Sequence, residues 1–483
     1  MPTEHFDVLI IGAGLSGIGA ARHLQMRCAD RSYAILEGRS SMGGTWDLFR
    51  YPGVRSDSDM YTLGYAFKPW EARKAIADGP SILNYVRDTA RENDIERHIR
   101  FGHQVKGAAW SSADARWTVQ VERGDAKEPV QISCSFLFMC SGYYRYDEGF
   151  TPDFAGLADF AGRVVHPQKW TDDIAYAGKR VVVIGSGATA VTLVPELAKQ
   201  AAHVTMLQRS PTYIVARPSE DALATTLRRW LPGKLAYSLT RCKRVLLGMY
   251  IFALCRSNPA KVKRLIAGGV RMALGPDYDV AQHFTPRYNP WDQRLCLAPD
   301  GDFFAAIKSG SASVATDEIE RFTQKGIALK SGAHLDADLI VTATGLNLQV
   351  LGGLQLSVDG VLVDLAKTLN YKGLMFSGVP NLASSFGYTN ASWTLKCDLI
   401  CEYVCRLLNH MQKRGLQQCT PRNTDASITE LPWVDFSSSY FARALHLFPK
   451  QGSKAPWKLY QNYPKDIMLL RYGNVDDGVL QFE

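Results

Sequence analysis

Residues 6–17, Phe-Asp-Val-Leu-Ile-Ile-Gly-Ala-Gly-Leu-Ser-Gly, decide the fold. The apolar run before the first glycine predicts a buried parallel strand that ends in a tight turn and leads into a helix. Gly12 permits the turn, Gly14 lets backbone N–H groups approach a pyrophosphate, and Gly17 lets helix and strand pack closely. Glu37 follows twenty residues beyond Gly17, where its carboxylate can accept hydrogen bonds from a ribose. The segment therefore predicts a dinucleotide-binding unit at the start of the chain.

A second unit of the same kind begins 173 residues after the first. It has alanine in place of the third glycine, and a methyl group there still permits close packing. Its second strand ends in an arginine, nineteen residues past that alanine, where the first unit has an acid. An arginine suits the 2′-phosphate of NADPH, because its guanidinium can donate two parallel hydrogen bonds. We expect NADPH to be bound by Gly185, Gly187, Ala188, Thr189, Arg209 and Ser210.

The composition is that of an ordinary globular protein with a mild excess of positive charge. Of the 483 residues, 46% are hydrophobic and 21% are charged, and the net charge is +8. No run of basic and aromatic residues indicates a nucleic-acid groove, and no apolar stretch of roughly 18 residues predicts a transmembrane helix. The ten cysteines lack paired metal spacing, so we expect reduced thiols, no metal centre and a cytoplasmic location.

Further motifs lie between and after the two units. Met42-Gly-Gly-Thr-Trp46 follows the first acid directly, and Arg50-Tyr-Pro-Gly-Val-Arg-Ser-Asp57 is a turn-rich segment that ends in a carboxylate. His283-Phe-Thr-Pro-Arg-Tyr-Asn-Pro-Trp-Asp-Gln-Arg294 combines turn residues and aromatics and ends in a guanidinium. The pattern F-x-G-x-x-x-H-x-x-x-W is filled at every fixed place by Phe160, Gly162, His166 and Trp170.

In this order the motifs resemble those of the type I Baeyer–Villiger monooxygenases of the flavin-containing monooxygenase superfamily, and most closely the ethionamide-activating subgroup. The resemblance runs from residue 6 to about residue 410 and includes Phe-Gly-Tyr-Thr-Asn-Ala-Ser-Trp at 386–393. It implies FAD in the first unit, beside Gly44, Thr45 and Trp46, and NADPH in the second. It also implies that Arg294 is the catalytic cation and that Asp57 orients it, with Arg287 and Asp59 as alternatives.

The chemistry that the resemblance implies uses O2 and passes through a C4a-peroxyflavin. One oxygen atom enters next to a ketone carbonyl to give an ester or lactone, and sulfoxidation can accompany it. An N- or S-oxygenating flavin-containing monooxygenase is the alternative, because it uses the same cofactors. A disulfide reductase would need a close cysteine pair near residues 38–60, which the sequence lacks. A non-catalytic nucleotide-sensing protein is a further alternative. His166 precedes the second unit, which favours an interdomain hinge over a general acid.

The fold class that we expect is α/β, with two Rossmann-like domains of which the NADPH domain is inserted in the FAD domain. The FAD domain comprises 1–150 and 345–483, the NADPH domain 151–219 and 276–344, and a helical insertion 220–275. Within the insertion, apolar residues 245–255 indicate either a buried helix or a segment in a membrane interface. The second alternative predicts peripheral membrane contact through 241–256, with lipid phosphates bound by Arg241, Lys243, Arg244 and Arg256. We expect the tail from Trp433 to cover the surface.

Overall fold

The computed structural model describes residues 4–293, 295–434 and 438–483. Within these residues most strands collect into two large sheets, and each sheet contains one strand that ends in a glycine-rich turn. The second sheet is built from a segment that interrupts the first, and a group of helices interrupts the second in turn. The predicted fold class is therefore confirmed: two Rossmann-like domains, one inserted in the other, with a helical insertion.

The described residues up to residue 149 form seven strands and four α-helices. The strands are β1 (Glu4–Ile11), β2 (Tyr33–Leu36), β3 (Ile99–Arg100), β4 (His103–Ser111), β5 (Arg116–Arg123), β6 (Glu128–Met139) and β7 (Tyr144–Gly149). The helices are α1 (Leu15–Arg27), α2 (Thr45–Leu48), α3 (Met60–Leu63) and α4 (Gly79–Glu92). Asp78 caps α4 by accepting the Ser81 N–H, and the buried face of the helix carries Ile82, Tyr85 and Val86 at helical spacing.

The described residues of the middle part form ten strands and six α-helices. The strands are β8 (Arg163–Val165), β9 (Arg180–Ile184), β10 (His203–Gln208), β11 (Ile214–Arg217), β12 (Cys296–Pro299), β13 (Ala312–Thr316), β14 (Ile319–Thr323), β15 (Gly326–Leu329), β16 (His334–Asp336) and β17 (Leu339–Thr342). The helices are α5 (Ala188–Leu197), α6 (Ala222–Trp230), α7 (Gly233–Ser257), α8 (Pro259–Leu274), α9 (Val280–Phe284) and α10 (Asp302–Lys308).

The last part returns to the first sheet. Its strands are β18 (Leu346–Leu348), β19 (Gln355–Val358), β20 (Val361–Leu362), β21 (Asn370–Tyr371), β22 (Met375–Phe376), β23 (Leu382–Ser384), β24 (Cys419–Pro421), β25 (Glu430–Pro432), β26 (Lys450–Gly452) and β27 (Leu480–Phe482). Its helices are α11 (Trp393–Arg414), α12 (Ser439–Ala444), α13 (Tyr463–Asp466) and the π-helix Ile467–Tyr472. Short 3-10 helices lie at Glu96–His98, Leu157–Asp159, Pro167–Lys169, Val350–Gly353, Leu365–Lys367 and Leu445–Leu447.

The tail does not merely cover the surface, so that prediction is wrong. Trp433, Phe441 and Phe448 pack together in a core of their own, and Trp457 and Leu470 are buried in the largest core of the molecule. The aromatic residues on which that prediction depended are therefore core residues, because their rings pack against residues from earlier parts of the chain.

The larger sheet has nine strands in the order β20-β19-β4-β5-β6-β1-β2-β3, with β23 also paired to β6. Strand β1 is parallel to both of its neighbours, β2 and β6. Val8 and Ile10 point into the core shared with α1 and α11, whereas Leu9 and Ile11 point into the core on the other face. Both faces of the strand are buried, which is why residues 8–11 are all apolar.

The second large sheet has five parallel strands in the order β13-β10-β9-β17-β8. Strand β9 is central, with Val181 and Val183 in one core and Val182 and Ile184 in another. Helix α5 follows its glycine-rich turn and contains Pro195 as its eighth residue, near the end of the helix, where few intrahelical bonds remain to be lost.

The two sheets are joined where the outgoing strand β7 and the returning strand β18 pair antiparallel. His166 clamps this joint: its Nε2–H donates to the Gly345 carbonyl at 3.0 Å, and its Nδ1 accepts the Gln168 N–H at 3.2 Å. Burial lowers the pKa of His166, so the ring stays neutral and can donate and accept at once. Gln168 adds bonds of 2.9 Å to the carbonyls of Arg145 and Tyr146. These contacts fit the hinge interpretation of His166.

The other residues of the Phe160–Trp170 pattern also shape this joint. A Cβ on Gly162 would lie 2.6 Å from the Phe160 ring and 2.7 Å from the Asp338 carbonyl oxygen, so only glycine fits. Trp170 is buried in the core of the five-stranded sheet, edge-on to Tyr176. The pattern therefore describes packing at the crossing between the sheets, and its side chains are held there by shape.

Helices α6, α7 and α8 form the helical insertion between β11 and α9. Arg241 of α7 anchors it, donating to the carbonyls of Tyr61 and Gly64 at 2.8 and 2.7 Å and pairing with Asp398 at 3.4 Å. Of the two alternatives for residues 245–255, the buried helix is wrong, because only Cys255 in that stretch is buried. In the part of the chain that the structure describes, no helix is both long and apolar enough to cross a membrane.

The two outer glycines of the first turn are required by packing, and the middle one is not. A Cβ on Gly17 would stand 1.8 Å from the Gly12 carbonyl oxygen, whereas a Cβ on Gly14 would meet nothing closer than 3.6 Å. We expect Gly17→Ala to lower the free energy of unfolding by about 3 kcal/mol or more. The matched Gly14→Ala should lower it by less than about 1 kcal/mol. Urea unfolding followed by circular dichroism measures both, and equal losses would contradict this account of the turn.

Candidate active site

A cavity of 610 Å³ lies between the two large sheets. Four segments contribute to its wall: the first glycine-rich turn, the segment after Glu37, the loop around Asp57 and helix α5. In open α/β sheets ligands bind beyond the carboxyl ends of the strands, and β1 and β9 both end at this cavity or beside it. Of the residues predicted for the site, those that line the cavity are Gly12, Gly14, Glu37, Gly44, Thr45, Trp46, Asp57, Ala188 and Thr189.

The first turn is shaped to admit a ligand at Gly14. Gly12 has φ +104°, and a Cβ there would lie 2.7 Å from the Cys140 carbonyl oxygen. Glu37, at the end of β2, accepts the Ala13 N–H at 2.8 Å and the Arg39 N–H at 3.0 Å. Burial raises the pKa of Glu37, although these two bonds oppose the shift. The carboxylate is thus fixed beside the turn, where a ribose hydroxyl could donate to it.

The segment after Glu37 brings backbone close to the same turn. Gly44 has φ +56°, and a Cβ there would lie 3.1 Å from the Gly14 Cα. The Thr45 hydroxyl lies 3.3 Å from the Tyr146 hydroxyl. Arg39, which the sequence analysis did not single out, pairs with the buried Asp47 at 2.6 Å and lies over the Tyr146 ring. This part of the wall therefore combines close backbone approach with a fixed cation, a combination suited to a pyrophosphate.

The loop at 50–57 lies between the first domain and helices of the second. Arg55 pairs with Asp302 of α10 at 2.5 Å, and a Cβ on Gly53 would meet the Glu196 side chain at 3.0 Å. Tyr51 is buried and bonds to Thr189 of α5; burial raises its pKa to about 12, and the nearby Asp57 charge acts in the same direction. Asp57 is half-buried at the cavity wall.

Asp59, the alternative to Asp57, has a structural task. Its carboxylate caps α3 by accepting the N–H groups of Tyr61 and Thr62 at 3.1 and 3.2 Å. It is absent from the cavity lining. The pKa of Asp59 is raised by burial, more than the nearby Arg244 lowers it.

The residues predicted for the second dinucleotide fall into two groups. Ala188 and Thr189 line the cavity, whereas Gly185, Gly187, Arg209 and Ser210 do not. Gly185 has φ +128° and abuts the Ala343 carbonyl, but no described atom lies within 4 Å of a Cβ placed on Gly187. Arg209 and Ser210 are exposed just past β10, where the Ser186 hydroxyl donates to the Ser210 carbonyl at 3.3 Å. The second turn and the end of its second strand thus meet outside the cavity.

Arg294 lies outside the described residues, but the segment before it is described. Trp291 has φ +71°, a conformation that L-residues rarely adopt. Its ring is edge-on to Phe252 of α7, and Asp292 pairs with Arg256 of the same helix at 3.1 Å. Arg287, the alternative cation, is exposed and does not line the cavity.

Aromatic residues from the C-terminal half complete the wall. Trp393 stacks on Tyr143 with ring centroids 5.1 Å apart, and its Nε1–H donates to the Ser16 hydroxyl at 2.8 Å. Both rings line the cavity, and Phe386 packs against each. Sequence reasoning missed these residues as site residues, although the aromatic segment 386–393 was the signal that could have found them.

Comparison with known proteins agrees with this geometry. The flavin-binding monooxygenase-like family model matches residues 74–230, and the NAD(P)-binding Rossmann-like domain matches residues 10–70. Among solved structures, an oxidized steroid monooxygenase bound to NADP superposes with a TM-score of 0.78, at 23% identity over 99% of both chains. An ε-caprolactone-bound cyclohexanone monooxygenase superposes with a TM-score of 0.77, at 19% identity over 100% of both chains.

A relative at higher identity is the FAD-containing monooxygenase EthA of Mycobacterium tuberculosis. It is 55% identical over 481 residues, which cover 99% of this chain and 98% of the relative. An alignment of this extent spans both glycine-rich turns, the joint between the sheets and the C-terminal half. The chain belongs to the family of FAD-containing monooxygenases that includes EthA.

Proposed function

We propose that this enzyme is a Baeyer–Villiger monooxygenase, which uses NADPH and O2 to insert one oxygen atom next to a ketone carbonyl. The product would be an ester or a lactone. The observation that carries the proposal is that one cavity is lined by the first glycine-rich turn, by the start of α5 and by Asp57. A cyclohexanone monooxygenase with the same fold has been solved with a lactone bound, which supports a ketone as substrate.

FAD fits the cavity wall. The open space beside Gly14, which the backbone at Gly44 approaches closely, leaves room for a pyrophosphate next to main-chain N–H groups. The Glu37 carboxylate, held by the Ala13 N–H, leaves room for a ribose beside it. Thr45 and Trp46 lie farther along the same wall, where the flavin ring would follow. The bound flavin, once reduced, supplies the activation of O2; the protein's own residues supply binding, orientation and charge.

NADPH fits the second turn. No described atom occupies the space beside Gly187, and the first turn of α5 presents main-chain N–H groups toward it. Arg209 makes no ion pair with any described residue, and it lies on the exposed side of the turn with Ser210. An exposed guanidinium that forms no ion pair is suited to the 2′-phosphate that distinguishes NADPH from NADH.

Arg294 and Asp57 take the catalytic and positioning tasks in this proposal. Oxygen insertion develops negative charge on the attacking and carbonyl oxygens, and a guanidinium stays protonated to stabilise it at any working pH. Asp57 would hold that guanidinium in place, and Asp57 is itself held by a loop clamped to both domains. Tyr143 and Trp393 form an apolar wall that limits access of water to the reacting atoms.

The same cofactors also serve oxygen transfer to sulfur or nitrogen, which remains the alternative reaction. Ketone or thioether substrates and O2 are the small-molecule partners in either case. A cytoplasmic location, with peripheral membrane contact through the insertion, completes the proposal.

The reaction is tested with isotopic oxygen and a mixed substrate panel. Incubation of the flavin-loaded enzyme with NADPH, 18O2 and a panel of ketones and thioethers should give esters that carry one labelled oxygen atom. Mass spectrometry of the products measures this. Labelled sulfoxides without any ester would establish the sulfur-oxygenating alternative instead.

The pair Arg294 and Asp57 is tested by three variants. Arg294→Ala should leave flavin bound and reduce ester formation by roughly a hundredfold or more, since one charge-stabilising group is lost. Asp57→Asn should reduce ester formation about tenfold or more while NADPH oxidation continues, because oxygen activation is then uncoupled from transfer. The control Asp59→Asn should cost about 1 kcal/mol of stability through loss of the α3 cap and leave the ratio of ester to NADPH unchanged. Unaltered coupling in Asp57→Asn would contradict its assignment.

The role of Arg209 is tested by nucleotide preference. Arg209→Ala should raise the KM for NADPH roughly ten- to a hundredfold, because the charge-assisted hydrogen bonds to the 2′-phosphate are lost. The KM for NADH should change little, because NADH has no phosphate at that position. The control Lys325→Ala removes another exposed cation of the same part of the chain and should change neither. If Arg209→Ala weakens NADPH and NADH equally, Arg209 is structural.

A further inference from the structure

The helical insertion has an unusual charge and surface composition. Between Asp221 and Asp277 the sequence contains eleven lysines and arginines and no aspartate or glutamate. The whole chain has a net charge of +8, so its excess of positive charge lies in this segment. The same segment holds half of the exposed large apolar side chains of the described residues: Leu223, Trp230, Leu235, Leu239, Leu246, Tyr250, Leu265 and Met272.

On α7 these apolar side chains form a continuous stripe. Leu235, Leu239, Leu246 and Tyr250 are separated by four, seven and four residues, a spacing that keeps them on one face of a helix. They are 47%, 45%, 58% and 65% exposed, and the stripe runs for about 22 Å. Trp230, 81% exposed, lies just before the helix. Isolated exposed apolar residues need no explanation, but a stripe of this length does.

The cations divide into two groups, and this corrects the assignment made from sequence. Arg241, Lys243, Arg244 and Arg256, to which the membrane-interface alternative assigns lipid phosphates, instead pair with Asp398, Asp221 and Asp292. Arg228 donates to the Glu71 carbonyl at 2.6 Å. The remaining six make no ion pair with any described residue: Arg229, Lys234, Lys261, Lys263, Arg264 and Arg271. These six cations are available to an external anion.

We propose that the insertion docks on the surface of an anionic phospholipid bilayer, with the α7 stripe and Trp230 at the depth of the headgroups. The unpaired cations would then face the lipid phosphates. A helix with an exposed apolar stripe and nearby cations has the chemistry of an interfacial segment, which lies in the membrane surface and does not cross it. This inference does not depend on which oxygenation reaction the site performs.

Other occupants of this face are disfavoured by its charge and shape. A second copy of the chain would bring two strongly basic insertions together without any acidic residue between them. A nucleic acid would satisfy the cations but would leave leucines on the stripe without a partner. An anionic bilayer satisfies both, because it offers phosphates and an apolar layer at adjoining depths.

Vesicle binding tests the proposal with the full-length, flavin-loaded protein. We expect co-sedimentation with phosphatidylcholine vesicles that contain phosphatidylglycerol to be at least about tenfold tighter than with pure phosphatidylcholine, and to weaken with added salt. Cys242 lies on the α7 stripe and is the one exposed cysteine, the other nine being buried. A polarity-sensitive fluorophore attached to Cys242 should therefore shift its emission to the blue when anionic vesicles are added.

Matched variants distinguish vesicle binding through this surface from nonspecific adsorption. Leu239→Ser with Leu246→Ser should weaken vesicle binding about tenfold. The control Val361→Ser with Leu362→Ser alters a hairpin whose side chains are 70% and 72% exposed, and it should have no effect. Lys261→Gln, Arg264→Gln and Arg271→Gln together should weaken binding by roughly a hundredfold. The charge-matched control Lys308→Gln, Lys325→Gln and Lys413→Gln should not.

Three outcomes would overturn the proposal. They are absence of binding to anionic vesicles at low salt, equal binding to neutral and anionic vesicles, and equal weakening by the stripe variant and its hairpin control. Sedimentation velocity without lipid checks the competing occupant: an oligomer of the wild type that dissociates in Leu239→Ser with Leu246→Ser would assign the stripe to a second copy. Ester formation, assayed in parallel without vesicles, reports on the reaction separately from docking.

Discussion

The hydrogen bond from His166 to the carbonyl of Gly345 holds the place where the chain leaves one sheet and comes back to it. The outgoing strand β7 and the returning strand β18 pair there, and Phe150 N–H donates to the same carbonyl at 3.0 Å. A chain that crosses between two domains at one paired joint can change the angle between them without separating the cavity walls. The cavity depends on this joint, because its lining comes from both sides of it.

The local parts of the fold and site could be predicted from sequence, because each depends on residues that are near neighbours. A strand, a turn with room at Gly14 and an acid at Glu37 occupy thirty-odd consecutive residues, and the hydrogen bond from Ala13 to Glu37 closes that unit. The Phe160–Trp170 pattern was equally visible. Its structural meaning was not, since Gly162 is required by the Asp338 carbonyl, far along the chain.

What could not be predicted depends on contacts between distant segments. Arg39 and Tyr146 meet only because β6 returns beside β1, and Tyr143 meets Trp393 across 250 residues. The cations that flank residues 245–255 appeared available in the sequence, yet Arg241 pairs with Asp398, a carboxylate on α11. The tail appeared peripheral because its aromatic residues have no regular spacing, and burial of Trp457 depends on partners that no local pattern contains.

Helix α11 shows how such distant contacts select one arrangement. It carries three buried charges, and each has its partner on a different segment: Lys396 pairs with Asp466 at 2.8 Å, Asp398 with Arg241 at 3.4 Å, and Glu402 with Arg471 at 2.6 Å. A buried charge without its partner costs several kcal/mol, so these pairs limit how the tail and the insertion can lie against the helix. Arg241 thereby sets the rotation of α7. Because Arg241 points inward to Asp398, the opposite face of α7, which carries the stripe, points outward. Near the end of the same helix, Phe252 contacts Trp291 and Arg256 pairs with Asp292. One buried ion pair therefore orients both the exposed stripe and the side chains of α7 that contact Trp291 and Asp292.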